Sequence, residues 1–143
     1  MTIFGATIPF ADHCGIEEIG VVDGTTRLRV RPQPHHLNNI GIAHGGLVAT
    51  LLDIAMGTAC RTQIGCPVMT LDMQIAFLAP GRGTLIGIGR VVRAGRSILF
   101  VESEVRCEED DALVAKGSGL FKPARRAGPA DASEPVTGLP PSS

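Results

Sequence analysis

The stretch that decides the fold is Gly45-Gly46-Leu47-Val48-Ala49-Thr50-Leu51-Leu52-Asp53-Ile54-Ala55-Met56-Gly57-Thr58-Ala59-Cys60. Its only charge is Asp53 and its only other polar side chains are Thr50 and Thr58, so apolar residues cover most of a helix's circumference rather than one stripe. The run from Ala43 to about Gln63 therefore reads as a buried helix, with Gly65 as its stop. The apolar part is shorter than the ~20 residues needed to cross a bilayer and carries a carboxylate in its middle, which argues against a membrane span. On this helix Gly46, Thr50, Asp53 and Gly57 fall on one line, a seam of small and polar side chains where a second backbone or a ligand can come close.

Outward from the helix the pattern changes to strands. Ile16 to Val22 and Thr25 to Arg31 flank Asp23-Gly24, a hairpin turn signal, with Leu28 and Val30 alternating with arginines. After Pro67 come Val68 to Leu78, Gly83 to Val92, Ser97 to Arg106 and Ala112 to Lys122, separated by short turn-forming breaks. In the first of these, Leu71, Met73, Ile75 and Phe77 alternate with Thr70, Asp72, Gln74 and Ala76, which predicts two opposite faces. One long buried helix with about six antiparallel strands fits the α+β hotdog fold, a sheet curled around a central helix. We expect a single domain over residues 1–123 and a disordered tail over 124–143, where Pro, Ala, Gly and Ser dominate.

Composition narrows the function. The 14 acidic and 13 basic side chains nearly cancel, and five Phe with no Tyr or Trp leave little for base stacking, so nucleic acid is not expected as a partner. The N-terminal ten residues lack the cations and apolar block of a signal peptide, and the four Cys contain no CxxC pair. A cytoplasmic protein with reduced thiols and no metal site is the expectation.

The helix start carries chemistry. Ile42 and Ala43 precede His44 and offer no capping oxygen, while Gly45 and Gly46 strip side chains from around the first amides. An accessible, electropositive helix N-terminus stabilises a developing oxyanion, as when a thioester carbonyl becomes tetrahedral. Asp53, a lone carboxylate on an apolar helix, is suited to act as general base on a water or as nucleophile. Eight residues, about 12 Å of helix rise, separate Gly45 from Asp53, so one chain cannot supply both parts of a site. Two such helices packed antiparallel in a homodimer would.

Asn38-x-x-Gly41-x-x-His44-Gly45-Gly46, followed seven residues later by Asp53, resembles the signature of hotdog-fold acyl-CoA thioesterases of the PaaI type. The likeness extends through Thr70-Leu71-Asp72-Met73-Gln74, Phe77 and Pro80, Arg90 to Arg96, and Ala115-Lys116-Gly117, roughly residues 20 to 122. It implies hydrolysis of an aryl-acyl or medium-chain fatty acyl-CoA without cofactor, in a homodimer or homotetramer. Asp53 then matches the catalytic carboxylate and Gly45 the amide that polarises the carbonyl. Asn38 matches a side chain near that carbonyl, His44 an orienting residue, and Thr70 a hydroxyl close to the attacking water. Gly46 joins the substrate-binding edge, and Arg93 and Arg96 are the cations assigned to the coenzyme A phosphates.

Plainer readings compete. His44 taken alone reads first as a helix-end residue that caps or packs, a reading that the spacing to Asn38 and Asp53 reverses; Asp53 reads as a carboxylate paired with Arg61 or Thr50, and the two glycines as a device for tight packing. His35 and His36, adjacent in a Pro-rich loop, are assigned no role, and the four Cys lack a paired base. A non-catalytic acyl-CoA binding hotdog protein is the alternative from another class, disfavoured by the presence of Asp53. A hotdog dehydratase would need a different acid–base pair.

Overall fold

The computed structural model describes residues 1–124, and of the expected tail all but Ala124 lies outside the described residues. The chain opens with a short helix α1 (Pro9–Cys14), then a hairpin of β1 (Glu17–Val22) and β2 (Thr25–Val30), a 3-10 turn at Pro34–His36, and the long helix α2 (Gly45–Ile64). Four strands follow: β3 (Val68–Phe77), β4 (Leu85–Ala94), β5 (Leu99–Cys107) and β6 (Leu113–Pro123). All pairings are antiparallel, in the order β1-β2-β4-β5-β6-β3, which leaves β1 and β3 at the edges. The sequence reading missed α1, whose six residues are too few to show a helical period and whose only buried positions are Ala11 and Cys14.

Helix α2 ends where its sequence requires. Gly65 takes the left-handed conformation (φ 73°) and its amide closes the last turn on the Arg61 carbonyl at 2.8 Å. The helix lies close on the concave face of the sheet because β4 presents glycines there. A Cβ at Gly89 would sit 2.0 Å from the Ala55 carbonyl oxygen, and one at Gly87 2.8 Å from Leu51 Cγ. Threonines hold the same contact: Thr26 Oγ1 donates to the Ala55 carbonyl at 3.0 Å, and Thr58 Oγ1 of the helix meets Thr26 Oγ1 at 3.2 Å. Leu51, Leu52, Ala55, Met56 and Cys60 are fully enclosed.

Within one chain the enclosure stops at one side, along the seam of small and polar residues. Within one chain the sheet covers only the Leu51–Ala55 face, and along the seam Gly46 is exposed while Thr50, Asp53 and Gly57 are half-buried. The N-terminal segment crosses part of that seam. Arg61, one turn beyond Gly57, donates from Nε to the Phe4 carbonyl and from Nη2 to the Gly5 carbonyl, both at 3.2 Å.

Candidate active site

The start of α2 is capped, contrary to the reading that no acceptor precedes it. His44 is itself the N-cap residue, and its imidazole Nδ1 accepts the Gly46 amide at 2.7 Å, the work that a Ser or Asp oxygen usually does. The Gly46 side hydrogen lets the ring approach, since a Cβ there would lie 3.0 Å from Nδ1. The Leu47 and Val48 amides reach the His44 carbonyl at 2.9 and 3.2 Å. Of the first four amides only that of Gly45 has no acceptor among the described residues, with the Phe77 ring beside it. The electropositive edge is therefore one N–H, held in place by its capped neighbours.

The loop before the helix is built around Asn38. Its Oδ1 accepts from the amides of Ile40 and Ile42 at 3.0 and 3.2 Å, and its own amide meets the Ile42 carbonyl at 2.8 Å. The side-chain oxygen is thus committed to the loop, and only the Asn38 NH2 remains to donate elsewhere. The His44 amide ties this loop to the 3-10 turn through the His36 carbonyl at 2.9 Å.

Asp53 has a partner that sequence reasoning weighed only as a neighbour of water. Thr70 Oγ1 donates to Asp53 Oδ1 at 2.7 Å, fixing one carboxylate oxygen and leaving the other without a partner among the described residues. Neither suggested partner engages it: Thr50 Oγ1 donates to the Gly46 carbonyl at 2.8 Å, and Arg61 turns to the N-terminal segment. Simple alternation places Thr70 opposite Met73, Ile75 and Phe77, yet all four face α2. The reason is a β-bulge, where the β3–β6 register slips between Thr70 and Asp72 and Leu71 turns outward, 48% exposed. A bulge beside a site re-aims one side chain without disturbing the rest of the strand.

Two clefts meet at Asp53. One of about 430 Å³ runs toward Phe10, Ala49, Thr50 and Met73, and the other, of about 210 Å³, runs past Gly57 toward Arg61 under Ala6 and Ile8. Gly45 stands two turns away along the same helix and does not reach Asp53 within the chain. Nor are Arg93 and Arg96 brought there: Arg93 pairs with Phe100 on the outer face of the sheet, and Arg96 sits in the β4–β5 turn. Cys60 is no nucleophile, because burial pushes its thiol up to about 12. His36 Nδ1 accepts the Gln33 amide at 2.9 Å, a turn-forming role. No cluster of three metal-ligating side chains occurs among the described residues, and no helix there is long and apolar enough to cross a membrane.

The pattern of the thioesterase superfamily matches residues 40–114, from the loop before α2 to the start of β6. Human acyl-coenzyme A thioesterase 13 is 27% identical over 103 residues, 69% of this chain and 73% of its own. Among solved structures, the PaaI protein of Escherichia coli, from the phenylacetic acid degradation operon, superposes with a TM-score of 0.75 at 25% identity, covering 82% of this chain and 85% of its own. A Bacillus halodurans protein solved with CoA gives 0.77 at 31% identity, covering 84% and 81%. With its six-stranded sheet, its single long helix and this matched segment, the chain belongs to the thioesterase superfamily, as a PaaI-like thioester hydrolase of the hotdog fold.

Proposed function

We propose that the protein hydrolyses acyl-CoA thioesters, aryl-acyl or medium-chain fatty acyl, at a site shared between two protomers. The observation that carries this reading is the Asp53–Thr70 pair: a carboxylate with one oxygen fixed at 2.7 Å and the other without a partner among the described residues, opening on two clefts. In this reading Asp53 of one protomer activates water, and the free Gly45 amide of its partner receives the thioester oxygen as it gains charge. Asn38 contributes its NH2 to the same oxygen, while His44 and Gly46 hold the Gly45 amide in position. The exposed Arg93 and Arg96 meet the CoA phosphates outside the clefts. Two features support pairing of protomers: the open seam of α2, and the ten-residue edge strand β3 with Met69, Leu71 and Phe77 exposed beside it.

Mixing variants tests the shared site. Asp53→Asn and Gly45→Val should each be nearly inactive alone, measured as free thiol released from phenylacetyl-CoA or octanoyl-CoA. Mixed under exchange, heterodimers carry one doubly damaged and one intact site, so activity should return toward one half of the wild-type rate per mixed dimer. No recovery from a demonstrated heterodimer would place both groups in one chain's site. Tight binding of acyl-CoA with no turnover by the wild type would instead favour the non-catalytic binding protein.

A further inference from the structure

Arg61 has one more donor group than its surroundings use. Its Nε and Nη2 are spent on the Phe4 and Gly5 carbonyls, while Nη1 is buried and has no acceptor among the described residues. A buried guanidinium nitrogen left unsatisfied is costly, so an acceptor that belongs there is to be expected. The same arginine closes the far end of the 210 Å³ cleft that begins at Asp53 and Thr70. Between the two ends the walls are apolar, formed by Ile8, Ile54, Val68 and Phe121, and the floor at Gly57 carries no side chain. A Cβ at Gly57 would touch the Phe121 ring at 3.6 Å and narrow the passage.

We propose that this cleft holds the acyl chain and that Arg61 reads a carboxylate at its far end, so that the preferred substrates are mono-CoA thioesters of medium-length dicarboxylic acids. The inference rests on the thioesterase reading above and adds the substrate class. A terminal carboxylate accepts from Nη1 and so completes the guanidinium, which a methyl end cannot do. Asp53 does not forbid the second carboxylate: eight residues, about 12 Å of helix rise, separate Asp53 from Arg61, and attraction to a cation in contact outweighs repulsion over that distance.

The test compares suberoyl-CoA with octanoyl-CoA, and adipoyl-CoA with hexanoyl-CoA, on the full-length protein. Wild type should favour the carboxylated member of each pair by about 10-fold or more in kcat/KM, within reach of one charge-assisted pair. In Arg61→Met and in Arg61→Gln, which keeps a donor for the N-terminal segment, the ratio should fall to one or below. A wild-type ratio at or below one overturns the proposal whatever the variants do. So does an equal loss on both members of a pair, which would leave Arg61 only the task of pinning the N-terminal segment. If octanoyl-CoA is hydrolysed without preference, this inference alone falls; if no acyl-CoA is hydrolysed, the reading beneath it falls as well.

Discussion

The two long faces of α2 use glycine in opposite ways. On the covered face the glycines are on the partner strand: Gly87 and Gly89 of β4 let the helix backbone come within contact of the sheet, and the helix supplies Leu51, Ala55 and Met56. On the open face the glycines are on the helix, at Gly46 and Gly57, and what borders them is side chain rather than backbone: the His44 ring at Gly46, and Phe121 and Val68 at Gly57, beside the cleft. Glycine facing a backbone sets a packing distance and serves stability. Glycine on a helix beside a cleft reserves space for something the chain does not contain, at a cost of up to about 1 kcal/mol relative to alanine.

Substitutions on the two faces should therefore separate stability from activity. The largest effect is expected at Gly89→Ala, whose Cβ would meet the Ala55 carbonyl at 2.0 Å with only backbone to give way. It should destabilise the fold by about 3 kcal/mol or more, read as a lower midpoint in urea unfolding. A near-neutral Gly89→Ala would show that the helix is not held by close approach to β4. Asp53→Asn should do the reverse, leaving the unfolding free energy read from urea titration within about 0.5 kcal/mol of wild type while turnover falls about 100-fold. Unchanged hydrolysis would remove Asp53 from the chemistry.

Smaller effects sharpen the open face. Thr70→Val keeps the shape of the side chain but deletes the one hydrogen bond that the Asp53 carboxylate makes among the described residues, and we expect about a 10-fold loss in kcat with KM little changed. A change confined to KM would reassign Thr70 to binding. His44→Ala removes the imidazole cap on the Gly46 amide and should cost about 1 kcal/mol of stability. Asn at the same position should restore most of it, because an amide oxygen can accept from that N–H; failure of Asn to do so would mean that the ring matters by packing rather than by capping.

Much of this was legible before any coordinates. Asp23-Gly24 turns the first hairpin, Gly65 stops the helix, and the alternation of each later run gives a strand within two or three residues of its observed ends. Local backbone rules and period are sufficient for such features because they depend on neighbours a few residues away. The spacing of Asn38, His44, Gly45 and Asp53 could be read only as a resemblance to a family signature, from which their roles were inferred. The short α1 escaped because tertiary contacts of Ala11 and Cys14, not its six residues, hold it in place.

Three features lay beyond the sequence reading, one local to the helix start and two made where distant parts of the chain meet. The acceptor for the Gly46 amide is the side chain of His44, which no preference for capping oxygens would select. The partner of Asp53 is Thr70, 17 residues away, brought to the helix side of β3 by a bulge that breaks the strand's two-residue period. Arg61, one of the suggested partners for Asp53, instead closes a cleft against Phe4 and Gly5. The sequence by itself determined the helix, the strands and the lone carboxylate, since periodicity and spacing are local properties of the chain. Which side chain orients that carboxylate depends on strand register against β6 and on the distance at which α2 settles over β4, and those are set by packing among residues far apart in sequence.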